Sequence, residues 1–323
     1  MEAIGGECAG ALSLYPEEQR PPSHTEDDIE VLDDAKLRDI LELLKKHPLL
    51  AGEDKMRLSL AGAQEKMAVG FQNGKVALIK GVTPTTHILK LLIEHVTDSV
   101  YNELFCMRLA KKVGISTPTT TLHFVGDIPC YIVERYDRER AKDGSVTRIH
   151  QEDFCQAMGI SPEIKYEREG GPSVESCQNI LSVHSAKPAA DQLRLLEMII
   201  FNYLIGNADA HGKNFSLLYK GTKPELAPAY DLLSTAVYPN LSEKMAMKIG
   251  GKYRPEDVFM RHWHRIVPNT KAAKTNIEKQ LHRLAKHTLE QALILKEEFH
   301  KDGLKFPVVD DICTLIGERS KRI

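Results

Sequence analysis

Residues 193–206 constrain this chain more than any other stretch. They form a nearly continuous apolar run, long enough for a buried helix, and the run closes on Gly206, a residue that suits a helix C-terminus. The polar segment Asn207-Ala208-Asp209-Ala210-His211-Gly212-Lys213-Asn214 therefore leaves the core at a fixed point. Behind it, residues 215–219 read as a short strand, and a turn containing Gly221 and Pro224 leads to Ala229-Tyr230-Asp231. Two carboxylates, Asp209 and Asp231, thus bracket a hairpin.

Phosphoryl transfer is the chemistry that wants this spacing. An aspartate, four intervening residues and an asparagine, followed by a second aspartate beyond a hairpin, reproduce the base and metal-ligand pattern of a protein-kinase catalytic loop. In that pattern Asp209 accepts a hydroxyl proton and Asn214 and Asp231 offer hard oxygens to Mg²⁺, which shares its ligands with substrate phosphates. Lys213 stands where it could neutralise the transferring phosphoryl group. The same residue types also suit a hydrated turn, because Asp and Asn bond to their own backbone, so the rest of the chain has to supply a nucleotide site.

Composition narrows the remaining choices. A chain of 323 residues has room for two lobes or one large domain. Its hydrophobic and charged fractions, 42% and 27%, are those of a soluble globular protein, and no long uncharged apolar run marks it for a membrane. A net charge of −2 gives no general attraction to nucleic acid, so no direct nucleic-acid binding is expected. The six cysteines are scattered without a C-x-x-C pair, which argues against zinc ribbons and disulfide scaffolds and for a reducing, cytoplasmic setting.

Along the chain, residues 4–14 read as a strand that has little to bury itself against, and 17–34 as a polar linker. Residues 32–44 carry apolar positions at helical spacing. The small residues Ala61, Gly62 and Ala63 sit in a polar turn before an alternating stretch, where backbone amides can approach a phosphate, although an ordinary structural turn has the same composition. Residues 76–80 and 85–90 read as strands, the second ending on Lys90 as a kinase phosphate-binding lysine would. A capped helix over 98–114 carrying Glu103, and strands over 119–125 and 130–137, complete a small sheet lobe. Beyond residue 138 the periodicity turns helical, over 151–158, 191–205 and a C-terminal pattern through Ile277, Leu281, Leu284 and Leu295. The charged Gly-Pro loop 165–172 could cover or contact a substrate, although composition favours a plain solvent-facing loop, and His262 and His264, lacking ligand partners nearby, read as packing and surface.

Taken together, residues 59–66, 84–90, 133–138, 151–153, 165–172, 207–215 and Tyr230-Asp231 closely resemble the HipA family of toxin kinases, in the same order along the chain. The resemblance implies an α+β, bilobal protein-kinase-like fold, with a small sheet-containing N-lobe over 1–134 and a mainly helical C-lobe over 135–323. It implies a serine/threonine kinase using ATP and Mg²⁺, acting as the toxin of a bacterial toxin–antitoxin system on a protein target of the aminoacyl-tRNA synthetase class. By that resemblance Asp209 is the catalytic aspartate, and Asn214 and Asp231 are the metal ligands. Ala61, Gly62, Ala63, Lys90, Glu134, Tyr136, His211 and Lys213 belong to the nucleotide site. Ser59 resembles a serine whose autophosphorylation displaces the phosphate loop.

Family members carry a further subdomain ahead of the segment at which this sequence opens. That departure is similar to the short HipT-like branch, in which a separate small, HipS-like protein supplies the subdomain and acts as antitoxin. A helix-turn-helix DNA-binding protein of the HipB type is the other expected partner. Two further classes fit the residues alone: a small-molecule or lipid phosphotransferase, since the same loop serves any hydroxyl acceptor, and a non-catalytic module of a repressor complex.

Overall fold

A computed structural model describes residues 9–12, 29–46, 64–80 and 82–323. The chain divides into two compact units, one made of residues 1–100 and 118–151, the other of 101–117 and 152–323.

The first unit is built on a six-stranded sheet. Its strands are β1 (Ile29–Val31), β2 (Lys66–Gln72), β3 (Lys75–Ile79), β4 (His87–Lys90), β5 (Thr120–Val125) and β6 (Ile128–Glu134), and one helix, α1 (Asp34–Lys46), belongs with them. The strand order is β1-β3-β2-β4-β6-β5, and every neighbouring pair is antiparallel. Asn73 and Gly74 close the β2–β3 hairpin with φ of 53° and 76°, the paired left-handed residues that a tight hairpin matching the sheet twist requires. Leu37, Leu41 and Leu44 of α1 bury themselves with Met67, Val69, Leu89 and Ile132 of the sheet in a single core. A small hairpin, β7 (Arg138–Arg140) with β8 (Val146–Arg148), follows β6.

Beyond the sheet lie α2 (Ser99–Lys112), whose residues from Tyr101 onward belong to the second unit, β9 (His150–Asp153), α3 (Phe154–Ala157), α4 (Val174–His184), α5 (Pro188–Ile205), the hairpin β10 (Ser216–Tyr219) and β11 (Glu225–Leu226), α6 (Met260–Trp263), α7 (Lys271–Lys301) and α8 (Pro307–Ser320). Helix α5 is the hub: Leu195, Ile200, Phe201, Leu204 and Ile205 have no exposed surface, and the helix packs against α4, α7 and α8. Pro188 starts it and Gly206 stops it, with φ of 78°. A Cβ on Gly206 would also lie 2.4 Å from Leu315 Cδ2, so the stop is fixed by packing as well as by conformation. Phe105 of α2 meets Phe299 of α7 edge to face, with centroids 5.3 Å apart.

Two expectations change. The polar stretch 17–34 includes the edge strand β1, held by pairing of Ile29 with Ile79 and Val31 with Ala77. The helical periodicity over 151–158 is interrupted at its start: β9 runs through Asp153, whose carboxylate accepts from the Gln156 N–H in a capping box, and only then does α3 begin. Most of the strand expected over 4–14, the phosphate-loop residues Ala61, Gly62 and Ala63, and Ser59 lie outside the described residues.

Candidate active site

The loop after α5 is assembled by its own backbone. Asn207 donates its N–H to the Asn202 carbonyl at 2.9 Å and its side-chain amide to Asn202 Oδ1 at 2.8 Å. Its Oδ1 accepts from the Asp209 N–H at 3.1 Å. Thr235 bridges the start of the loop, accepting from the Ala208 N–H at 2.8 Å and donating to the Gly206 carbonyl at 3.2 Å. These bonds present Asp209 at the surface of the second unit with its side chain 46% exposed, while His211 and Asn214 stay buried.

Asn214 is held in a 3₁₀ turn, Gly212–Asn214. Its Oδ1 accepts from the His211 N–H at 3.2 Å, and its amide donates to Asp231 Oδ2 at 2.8 Å. Asp231 adopts a φ of 57°, a left-handed conformation that is uncommon outside glycine and is tolerated best by Asp and Asn. Tyr230 secures the approach, donating its phenol hydrogen to the Lys213 carbonyl at 2.6 Å with Ser216 Oγ 2.7 Å away. Seventeen residues of chain thus fold back so that an amide and a carboxylate touch. Their donor set, one carboxylate and one amide carbonyl with a second lone pair, suits a hard cation that completes its shell with phosphates and water. Among the described residues no group of three or more His, Cys, Asp or Glu side chains forms a complete protein cage for a metal.

Two residues of the 165–172 loop, given no individual role by the sequence, touch the segment that carries Asp209. Tyr166, from the loop read as plain surface, donates its phenol O–H to Asp209 Oδ1 at 2.5 Å. Burial, then this bond to the carboxylate, pushes the Tyr166 phenol well above the usual tyrosine range. Pro172, from the same loop, packs so closely on Gly212 that a Cβ there would lie 2.4 Å from Pro172 Cγ. The signal in the sequence was the Gly-Gly-Pro at 170–172, which suits a tightly folded segment better than an open one. His211 lies with Nε2 3.8 Å from Asp209 Oδ2, too far for a hydrogen bond, and its Nδ1 is buried with no partner among the described residues. Burial lowers the His211 imidazole from its ordinary value despite the nearby Asp209 charge.

The first unit carries the remaining candidates. Lys90 ends β4 opposite Lys66 and Tyr131, only 6% exposed, with its Nζ 5.7 Å from the centre of the Tyr131 ring. At the end of β6, exposed Glu134 and half-buried Tyr136 alternate with buried Arg135 and Asp137. The Glu134 N–H donates to the Thr119 carbonyl and the Arg135 N–H to the Thr86 carbonyl, each at 2.9 Å, so the backbone of this segment is tied down on both sides. Tyr136 donates its hydroxyl to Gln151 Oε1.

Beneath that segment lies a buried charge cluster. The Asp137 carboxylate accepts from Arg135 Nε at 3.0 Å and Nη2 at 2.9 Å, and from the Gly10 N–H at 2.8 Å, and Arg138 Nη1 lies 3.0 Å from it. Burial alone would raise its pKa, but the two guanidiniums outweigh burial and hold it below the ordinary carboxylate value.

A six-stranded sheet unit with a buried strand lysine, and a helical unit that carries Asp209, Asn214 and Asp231 on adjoining loops, define an α+β fold of the protein-kinase-like class. The profile of the HipA-like C-terminal domain matches residues 58–292, and the chain belongs to that family. Among its relatives, protein Y4mE of Sinorhizobium fredii is 43% identical over 301 residues, spanning 92% of this chain and 72% of that protein. The serine/threonine-protein kinase toxin HipA of Shewanella oneidensis is 32% identical over 276 residues, spanning 80% of this chain and 61% of the toxin. In structure, Shewanella oneidensis HipA, solved with HipB and operator DNA, matches 99% of this chain and 77% of its own with a TM-score of 0.83 at 26% identity. The Helicobacter pylori proinflammatory kinase CtkA shares the fold, with a TM-score of 0.55 at 14% identity over 83% of this chain and 91% of its own.

Proposed function

We propose that this chain is an ATP- and Mg²⁺-dependent serine/threonine protein kinase acting as the toxin of a bacterial toxin–antitoxin system. The observation that carries the reading is the convergence of Asp209, Asn214 and Asp231 on one short loop pair, with the 2.8 Å contact between the amide and the second carboxylate. In this reading Asp209 takes the proton of an acceptor hydroxyl as it attacks the γ-phosphorus of ATP, the bond to the bridging oxygen breaks, and ADP leaves. Asn214 and Asp231 hold Mg²⁺, which when bound neutralises charge on the phosphates. Lys90 and Lys213 bring positive charge to the nucleotide, Ala61, Gly62 and Ala63 offer backbone amides, and the backbone at Glu134 and Tyr136 meets the adenine. His211, with Nε2 3.8 Å from Asp209 Oδ2, belongs to the nucleotide site beside the base.

The acceptor is a serine or threonine of a protein, an aminoacyl-tRNA synthetase, whose modification stops translation in the cytoplasm. No helix among the described residues is long and apolar enough to cross a membrane. Phosphorylation of Ser59 switches the kinase off, because about −1.5 to −2 of charge in the phosphate loop competes with ATP. A HipB-like DNA-binding protein is a partner, by likeness to the Shewanella protein solved with HipB. A small HipS-like antitoxin is a second partner.

Phosphoproteomics after induction tests the reading, beside Asp209→Asn and Asp231→Asn. Loss of the base removes about 10²–10⁴ in rate and loss of a metal ligand removes charge neutralisation, so both variants should lose growth inhibition and the phosphosite together. Full toxicity in either one refutes the kinase reading. A small neighbouring protein that neither co-purifies nor relieves toxicity, while the DNA-binding partner alone does both, refutes the split antitoxin.

A further inference from the structure

The loop that brings Tyr166 to Asp209 is pinned at both ends. On one side the Glu167 N–H donates to the Ala246 carbonyl at 3.1 Å, and the Lys248 N–H donates to Glu167 Oε2 at 2.6 Å. On the other, the Gly171 N–H returns to the Tyr166 carbonyl at 2.9 Å, and Gly171 sits where a Cβ would lie 2.6 Å from the Ile164 carbonyl oxygen and 2.8 Å from that of Tyr166. The Gly212 N–H of the catalytic loop reaches the Lys165 carbonyl at 3.3 Å. The ring itself is already supported: His211 packs edge-on at 5.3 Å, and Lys165 Nζ and the Arg168 guanidinium lie 5.2 and 4.9 Å from its centre. Packing therefore accounts for the ring and leaves the hydroxyl, and the 2.5 Å bond it makes, to be explained.

We propose that Tyr166 is a positioning residue for phosphoryl transfer: its O–H holds Asp209 through Oδ1, so that a half-exposed carboxylate keeps one orientation toward an acceptor hydroxyl. The proposal rests on the kinase reading above. A bonded carboxylate oxygen retains further lone-pair capacity, so the tyrosine orients the base without consuming it. A phenol is also a better holder here than a lysine. Burial and the carboxylate keep it protonated, so it donates at every working pH and places no cation against the group that must receive the proton. His211, with Nε2 3.8 Å from Oδ2, is too far to hydrogen-bond it and does not substitute for the tyrosine.

The test uses the full chain with Mg-ATP carrying label in the γ-phosphate, read as the initial rate of autophosphorylation at saturating nucleotide. Tyr166→Phe keeps the ring and its contacts, and it should slow transfer by about 10- to 10²-fold while KM for ATP stays within about 2-fold, as for a misaligned catalytic group. Tyr166→Leu should lose the same rate and also lower Tm. A purely structural role predicts the reverse split, with Phe at the wild-type rate and only Leu impaired. The contact has its own readout: in protein labelled at tyrosine Cζ, the resonance that vanishes in Tyr166→Phe should titrate above the ordinary tyrosine range and move back toward it in Asp209→Asn. Wild-type rate in the Phe variant, or a Tyr166 titration indifferent to Asp209, overturns the inference and leaves the kinase reading standing. Absence of Asp209-dependent transfer in the wild type overturns the kinase reading, and this role with it.

Discussion

Replacing Asp137 by asparagine should cost the sheet unit far more than its one-atom change suggests. The carboxylate sits 4% exposed between guanidiniums that are each 2% exposed, with Arg135 bonded to both of its oxygens and Arg138 3.0 Å away. Asparagine keeps the shape, removes the negative charge and turns one acceptor into a donor facing donors. Breaking one partner of a buried ion cluster costs about 3–5 kcal/mol, because the remaining charge stays buried without compensation. With about 2–4 °C per kcal/mol for a domain of this class, the melting transition should fall by roughly 6–20 °C. Scanning calorimetry on wild type and Asp137→Asn measures this, with Glu290→Gln as the control. Glu290 is 53% exposed and 3.9 Å from Lys286, and such a surface pair is worth about 0.5 kcal/mol or less. The pH dependence has a definite sign. Asp137 titrates below its ordinary value in the folded protein, so its stabilisation is complete above the unfolded carboxylate pKa of about 3.9 and is lost as pH falls through the depressed folded value. The gap between wild type and variant should therefore hold from pH 7 to about 5 and narrow in stronger acid. A shift no larger than the control's at pH 7 refutes the reasoning.

Other substitutions probe the site. Lys90→Ala should raise KM for ATP and lower turnover, and unchanged values for both would remove Lys90 from the nucleotide site. Ser59→Ala should give a kinase that fails to silence itself; the check is mass spectrometry of active enzyme after Mg-ATP, where no phosphate on Ser59 or its loop would end that mechanism. Gly171→Ala forces a Cβ to 2.6 Å from a backbone oxygen, so it should shift the Tyr166 loop and reduce transfer, whereas Gly221→Ala, with nothing within 4 Å, should match wild type in rate and Tm.

The parts legible in the sequence were those specified locally. The apolar run of α5, its glycine stop and the Asp–Asn spacing all lie within about one helix and one turn of each other, and patterning alone locates them. What stayed hidden depends on distant pairing. Tyr166 and Asp209 are 43 residues apart, and the charged composition of 165–172 is that of any solvated loop. Gly10 and Asp137 are 127 residues apart, so nothing near either position marks the anion that Gly10 caps. Strand β1 lies in a stretch rich in Glu and Asp, where its few apolar residues carry no periodic signal, and it forms because β3 offers it an edge. Residues 101–117 read as part of the sheet lobe from their place in the chain, yet they cluster with the helical unit, since the apolar residues of α2 pack with Phe299 and Phe306.

That last arrangement has a consequence for how the protein is made. Asn102, fully buried on α2, donates its amide to the Ser234 carbonyl at 2.9 Å and to the Tyr238 hydroxyl at 3.0 Å, and its Oδ1 accepts from the Ser234 N–H at 2.7 Å. Those partners lie 132 and 136 residues downstream. At synthesis rates of about 5–20 residues per second, a wait of 132 residues lasts roughly 7–26 s. Throughout it the emerging helix has an amide it cannot satisfy in a dry core and an aromatic face whose partners, Phe299 on α7 and Phe306 after it, are not yet translated. The unit that carries Asp209 therefore closes only near the end of translation.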